Sequence, residues 1–183
     1  MKLFIISGML FLSAALTSNK AKGQTIIYNQ NIQKQDESWL KLQDYAGKKI
    51  LIAAVSPANL RAGVLAFYDS IQKANPAVAV IILPALDFGG TNNSGILDSI
   101  KNANSLSVTV TAAKMVTKAS GNMQDALMSW LTHREQNSHF NEEVNTDNHI
   151  FLISEAGILF AVLDKSTAAA VIDDLLHQPP VNQ

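Results

Sequence analysis

The polar residue best placed for covalent chemistry is Ser56. It directly follows the continuous apolar run Ile50–Val55, and a stretch with helical spacing begins soon after it. A turn between a strand and a helix is where many α/β hydrolases present a nucleophile, but that elbow needs a glycine two residues before and two residues after the serine. Ala54 and Ala58 occupy those positions. The sequence therefore does not support serine hydrolysis.

A second group of residues could be imagined as metal ligands. It lies in a polar stretch of the C-terminal half and consists of His139, Glu142, Glu143, Asp147 and His149. The spacing matches no zinc-binding pattern, in which pairs of ligands recur at short fixed intervals. We therefore expect a solvated acidic loop here, with no bound metal and no other cofactor.

The composition excludes several further classes of function. The chain has 183 residues and no cysteine, which excludes disulfides, thiol catalysis and thiolate metal sites. Its net charge is −1, so no basic face is indicated for nucleic acid or for an anionic membrane surface. A hydrophobic content of 48% with 16% charged residues is typical of a protein with a sizeable core.

The first 23 residues have the pattern of a secretory signal peptide. Lys2 precedes an apolar run over residues 3–16, and the small residues Ala21 and Gly23 suit cleavage before Gln24. The apolar run is shorter than the roughly 20 residues that span a bilayer. We expect an exported protein, periplasmic or extracellular, with residues 24–183 as one domain and no membrane span after cleavage.

Two buried strands and an intervening helix form the predicted centre of the fold. The strand over residues 50–55 is continuously apolar, as in central parallel strands. The apolar residues after Asn59, the expected N-cap, recur every three or four positions until Asn75. A second apolar run over residues 78–83 completes a βαβ unit.

The remaining patterns predict elements before and after this unit. They are a hairpin of strands within 24–31 and 37–45, a loop over 85–94, a short helix over 96–103, a strand over 106–110, a helix over 123–132, a polar surface loop over 134–148, a hairpin over 150–153 and 158–163, and a helix over 166–177. This order is typical of a thioredoxin-like α/β fold, with a central mixed β-sheet flanked by helices and an added N-terminal hairpin. Core or hairpin packing is expected for the large apolar side chains Trp39, Met115, Met123, Met128 and Trp130.

Four stretches of the chain resemble the glutathione peroxidases, a family of the thioredoxin-like superfamily. They occur in the family's order and extend across nearly all of residues 24–183. The stretches are Leu42-Gln-Asp-Tyr-Ala-Gly-Lys48, Leu83-Pro-Ala-Leu-Asp-Phe-Gly89, Leu127-Met-Ser-Trp-Leu131 and Asp147-Asn-His-Ile-Phe-Leu-Ile-Ser-Glu-Ala-Gly157.

The resemblance implies where the catalytic residues of the family would fall, and almost none of them is retained. The peroxidatic cysteine corresponds to Ala58 if the family's serine is matched to Ser56, or to Asn59 if the sequences are matched without a gap from Gly47. The family's Gln, Trp and Asn correspond to Asp87, Thr146 and Asp147, and a shift of one residue places the Asn at Asn148. A thiolate is required to attack the peroxide, and none is available.

These observations favour an exported glutathione-peroxidase-like protein that acts by binding. The former pocket or the loop over 85–94 would contact a small molecule or an envelope protein. Three alternatives stay open: a residual peroxidase or oxidative-stress role by family membership, a non-thiol enzyme using Asp87 and Asp147 as paired carboxylates or metal ligands, and a purely structural part of an envelope assembly.

Overall fold

A five-stranded mixed β-sheet organises the computed structural model, which describes residues 27–89 and 106–179. The strand order is β5-β4-β3-β6-β7. The bounds of these strands are β3 Ile50–Val55, β4 Ala79–Pro84, β5 Thr109–Val110, β6 His149–Ile153 and β7 Leu159–Leu163. The mixed sheet predicted from the apolar runs is confirmed.

The strand β3 lies at the centre of the sheet. It pairs in parallel with β4, with Val55 opposite Pro84, and antiparallel with β6, with Ala54 opposite His149. All six of its residues are buried. Its continuous apolar sequence follows from this position, because a central strand covered on both faces has no solvent side.

Helices cover both faces of the sheet. Helix α1, Ala62–Ala74, packs with the C-terminal helix α4, Ala169–His177, against one face. Helix α2, Ala126–Thr132, packs against the other face together with the N-terminal segment, and Trp130 is buried among them. The predicted core position of Trp130 is confirmed. No helix within the two described ranges is long and apolar enough to cross a membrane.

The N-terminal hairpin is present with shifted bounds. Its strands are β1, Asn31–Gln33, and β2, Trp39–Lys41, whereas Ile27–Asn29 forms a 3-10 turn. The expected strand over residues 24–31 is therefore wrong in its described part. Of the two positions expected for Trp39, the core one is wrong, because the residue lies on the small hairpin with 64% of its surface exposed.

Helix α1 begins later than predicted, and Asn59 is not its N-cap. Pro57–Asn59 forms a 3-10 turn, and Arg61 precedes the first helical residue. The side chain of Asn59 donates instead to the carboxylate of Asp147. A side chain committed to that distant acceptor cannot also cap the helix.

Helix α2 also begins later than predicted, with consequences for Met123. Asp125 caps it by accepting a hydrogen bond from the Leu127 N–H at 3.0 Å. Met123 therefore precedes the helix and is 71% exposed, so its predicted core position is wrong. Met128, one turn into the helix, is fully buried as expected.

The predicted surface loop over residues 134–148 is partly built into the core. It contains the short helix α3, Arg134–Asn137. Asn137 is buried and its amide donates to three backbone carbonyls, among them that of Trp130 at 3.0 Å. Val144 is also buried. The polar composition of this stretch gives no sign that these residues are buried. The Asn137 amide can be buried because backbone carbonyls accept its hydrogen bonds.

The C-terminal hairpin is confirmed, and the last helix begins three residues late. Asp164 accepts hydrogen bonds from the backbone and hydroxyl of Ser166, so residues 164–166 form a turn and not a helix. The strand predicted over 106–110 is reduced to Thr109–Val110. The expected signal peptide, the helix over 96–103 and most of the loop over 85–94 lie outside the described residues.

Lys49 connects the C-terminal end of helix α4 to the sheet through hydrogen bonds. It is buried, and its ammonium donates to the carbonyls of Leu176, at 2.8 Å, and Gln178. Glu155 lies 3.6 Å away as a counter-ion. This one cation satisfies carbonyls at the helix end, which have no partner inside the helix.

Replacing Lys49 by methionine should destabilise the fold by about 1–3 kcal/mol, because it leaves buried carbonyl groups without a hydrogen-bond donor. The neighbouring exposed residue supplies a matched control, since Lys48→Met removes the same charge and should stay within about 0.5 kcal/mol of wild type. Urea unfolding followed by far-UV circular dichroism measures both. Equal stabilities of the two variants would contradict the role given to Lys49.

Candidate functional site

Three chain segments carrying the candidate residues meet at one edge of the sheet. Strands β3 and β4 are parallel, so both end at this edge, and β6 is antiparallel to β3, so it begins there. Ser56 follows the end of β3, Asp87 follows β4, and Asp147 precedes β6. The topology therefore brings together positions that are up to 91 residues apart in sequence.

The carboxylate of Asp147 bridges the turn after β3. One oxygen accepts the backbone N–H of Ser56 at 2.5 Å, and the other accepts the side-chain amide of Asn59. Ser56 is buried, so its N–H needs a partner inside the protein. A charged acceptor makes the stronger kind of hydrogen bond. We call this arrangement of Ser56, Asn59 and Asp147 the carboxylate bridge.

The two positions predicted to correspond to the peroxidatic cysteine lie on the solvent side of this bridge. Ala58 and Asn59 are both exposed. Asn59 is engaged by Asp147, whereas Ala58 has no group capable of nucleophilic attack. Of the predicted site residues, the structure thus joins Asn59 directly to Asp147.

Asn148 extends the polar site behind the bridge. Its backbone is left-handed, with φ of 62°, a conformation that asparagine tolerates better than most residues. Its side-chain oxygen accepts the hydroxyl of Tyr68, which is fully buried in helix α1. Burial raises the pKa of Tyr68, and the negative charge of Asp147 raises it further, so the hydroxyl stays a donor. Tyr68 could not be recognised as a site residue from the sequence, because its helical spacing indicates only a buried position.

Asp87 accepts hydrogen bonds from a different segment of the chain. One of its oxygens accepts the backbone N–H groups of Val116, at 2.8 Å, and Thr117, at 2.5 Å, and the hydroxyl of Ser120 at 3.2 Å. Its other oxygen is buried without a hydrogen-bond partner in the described part of the chain. Asp87 therefore anchors residues 116–120, as an acceptor, to the end of β4.

Asp87 and Asp147 share no hydrogen-bonding partner among the described residues. Asp87 accepts two backbone N–H groups, and Asp147 accepts one backbone N–H and one side-chain amide. These contacts account for a carboxylate at each position without catalysis. Acid–base chemistry by a pair requires both groups to reach one substrate. The contacts favour structural roles for both, and their pairing stays a prediction.

His149 and Thr146 carry buried polar atoms without partners. His149 is 7% exposed and packs beside Phe151, with ring centroids 5.2 Å apart. Neither of its ring nitrogens, nor the hydroxyl of Thr146, has a hydrogen-bond partner within the described ranges. Burial lowers the pKa of His149, while nearby carboxylates, chiefly Glu142, oppose this. The imidazole is therefore neutral at pH 7.

No set of three or more described His, Asp and Glu side chains is arranged to hold a metal ion. This statement covers the acidic stretch singled out in the sequence. His149 is buried, whereas His139 and Glu142 are exposed.

Comparison with protein-family models and with curated protein sequences gives no match. Solved structures do match. Trgpx in its apo form has a TM-score of 0.62 and 18% identity, covering 83% of this chain and 93% of that one. GPX1 of T. cruzi has a TM-score of 0.57 and 13% identity, covering 82% and 94%.

A third similar structure is the pneumococcal exposed lipoprotein thioredoxin Etrx1 of Streptococcus pneumoniae. Its TM-score is 0.52 and its identity 17%, with coverage of 80% of this chain and 96% of that one. Identities this low establish the fold and not the activity. The chain has a thioredoxin-like α/β fold, and the fold expected from its sequence is confirmed.

Replacing the unpartnered His149 should stabilise the protein, in contrast to most core substitutions. His149→Leu removes two buried nitrogens that have no described partner, and we expect a gain of about 1–2 kcal/mol at pH 7. His139→Leu changes an exposed histidine of the same region and is the matched control. Urea unfolding at pH 7 gives both values.

The same pair of variants tests the titration of His149. Its folded pKa lies below the ordinary value of about 6.5, so the unfolded chain binds more protons and stability falls as the pH drops from about 6.5 through the folded pKa. Between pH 7 and 5, His149→Leu should lose less stability than wild type and than His139→Leu. Identical slopes for all three proteins would rule out a buried neutral imidazole.

Proposed function

We propose that the protein is an exported, non-catalytic binding domain built on a glutathione-peroxidase-like scaffold. The observation that carries this proposal is the carboxylate bridge at the end of β3. It occupies the turn that would present a reactive thiol if the sequence resemblance holds. The absence of cysteine from all 183 residues agrees with this reading.

The chemistry of the bridge opposes an anionic nucleophile at this turn. A peroxidatic thiolate is favoured by free N–H donors and by the positive end of the following helix. Here the Ser56 N–H and the Asn59 amide already bind the carboxylate of Asp147. A second negative charge beside it would be disfavoured by like-charge repulsion.

The surface available for binding lies around the bridge. Ala58 and Asn59 are exposed on the turn, and Gly89 is exposed after β4. A small molecule or an envelope protein would contact this edge of the sheet. Export is supported by the signal-peptide pattern of residues 1–23, and N-terminal sequencing of the secreted protein should begin at Gln24.

Methionine is the residue type of this cysteine-free chain that peroxide oxidises most readily, so the test must allow for it. Met123 is largely exposed on the short segment before helix α2. Its oxidation to the sulfoxide consumes peroxide once and gives no turnover without a separate reductase. The slow consumption of one equivalent of peroxide by methionine oxidation must therefore be distinguished from catalytic turnover.

Consumption of hydrogen peroxide and of a lipid hydroperoxide by the purified protein tests the proposal, with glutathione or thioredoxin as reductant. We expect no reductant-dependent turnover and at most about one equivalent of peroxide used per exposed methionine. Met123→Leu should lower that residual consumption.

The decisive control is the double variant Ser56→Ala, Asp87→Ala, which alters two polar residues of the sheet edge without touching Met123. Wild type and double variant should consume peroxide equally slowly. Repeated turnover by wild type, well above that of the double variant, would overturn the non-catalytic proposal and favour a residual peroxidase.

A further inference from the structure

A cleft of about 280 Å³ opens beside the carboxylate bridge, on the face of the sheet covered by α1 and α4. Its wall is formed by the first turns of α1, the beginning of β6 and the connection from β7 to α4. Asn148 lies in this wall and also follows Asp147 directly in the chain. Asn148 is therefore shared by the cleft and the candidate site.

The inner part of the cleft is apolar. Ile150 and Ile172 form its floor and are almost completely buried. Val64 and Phe67 of helix α1 line one side and are half-buried. This lining suits an aliphatic or aromatic group, whose burial is favourable by about 25 cal/mol per Å² of apolar surface.

The rim of the cleft carries hydrogen-bonding groups with unused capacity. The Asn148 oxygen is taken by Tyr68, whereas its amide nitrogen donates to no described residue. The Thr167 hydroxyl likewise has no partner in the described chain. Groups that can donate and accept at the mouth of an apolar cavity are typical of small-molecule sites.

Two opposite charges stand next to each other on the same rim. Asp164 binds Ser166 through one oxygen and leaves the other without a described partner. The Ser166 hydrogen bonds lower the pKa of Asp164, so the group is ionised at pH 7. Lys165 is exposed and forms no ion pair with any described residue. The rim thus offers one acceptor for a cation and one donor for an anion.

Gly63 keeps the mouth of the cleft open. It lies in the first turn of α1 with no left-handed backbone angle, and a Cβ atom added there would meet nothing within 4 Å. The helix does not require glycine at this position, because the backbone angles there are open to any residue. The missing side chain leaves space at the entrance to the cleft.

We propose that this cleft binds a free apolar α-amino acid, which would make it the ligand site of the binding domain proposed above. The ammonium of the ligand pairs with Asp164, its carboxylate with Lys165 and the Asn148 amide, and its side chain enters the apolar floor. The adjacent opposite charges match the two charged groups that an α-amino acid carries on one carbon. The cleft volume of about 280 Å³ is just below the usual range of roughly 300–1,000 Å³ for ligand sites, which suits a molecule as small as an amino acid.

Isothermal titration calorimetry with L-leucine as the probe tests the proposal. We expect saturable binding with a Kd below about 1 mM. Three analogues separate the contributions: glycine lacks the side chain, 4-methylpentanoate lacks the ammonium, and 3-methylbutylamine lacks the carboxylate. Each should bind at least about tenfold more weakly, which corresponds to about 1.4 kcal/mol. Absence of binding by leucine, valine, isoleucine, methionine and phenylalanine would overturn the proposal.

Variants locate the binding. Gly63→Leu should abolish leucine binding while leaving the melting temperature equal or higher, because leucine is the better helix former. Ala66→Leu places the same side chain at an exposed position of α1 outside the cleft and should bind leucine as wild type does. Lys165→Glu should weaken binding at least tenfold.

Leucine binding that survives both Gly63→Leu and Lys165→Glu would place the ligand elsewhere and overturn this assignment. The outcome is independent of the peroxide test. If the protein binds no amino acid and does not turn over peroxide, only the proposed ligand is wrong. If it turns over peroxide, the proposed non-catalytic function is wrong, whatever the calorimetry shows.

Discussion

The hydrogen bonds from Ser56 and Asn59 to Asp147 fix the relation between the end of β3 and the start of β6. Strand pairing alone aligns these strands only as far as Ala54 and His149. Beyond that point the backbone of Ser56 is buried and leaves the sheet, so its N–H depends on a side chain for a partner. The turn after β3, the late start of α1 and the left-handed Asn148 all lie around this contact.

The same edge shows how two carboxylates can be used as internal acceptors. Asp147 binds donors of the β3 turn, and Asp87 binds donors of residues 116–120. Charged acceptors satisfy N–H groups that neither helix nor sheet can reach. The backbone and amide donors at this edge are therefore occupied by the protein's own carboxylates.

Much of the fold could be predicted from sequence because burial leaves a periodic pattern. The run Ile50–Val55 and the apolar strands on both sides of Gly157 indicate their positions directly. The first N-terminal strand and Met123 were misplaced, since short elements contain too few residues to show a clear periodicity. Asn137 was missed because its burial depends on three backbone carbonyls and not on its own polarity.

The candidate site was predictable as a set of positions and not as a set of contacts. Family-like spacing identified Asn59, Asp87 and Asp147, but the partners of each lie 29 to 91 residues away. The hydrogen bond from Tyr68 to Asn148 could not be predicted from the sequence of either segment, because a tyrosine on a helix face is consistent with simple core packing. Hydrogen bonds between distant segments are set by topology, which local sequence does not encode.

Asp147 should make the turn after β3 unfavourable for a thiolate. The pKa of a thiol introduced by Ala58→Cys, measured by the pH dependence of alkylation with and without Asp147→Asn, tests this. We expect a pKa at or above the ordinary value of about 8.5 in the single variant and a clearly lower one in the double variant. A pKa far below 8.5 in the single variant, unchanged by Asp147→Asn, would contradict it.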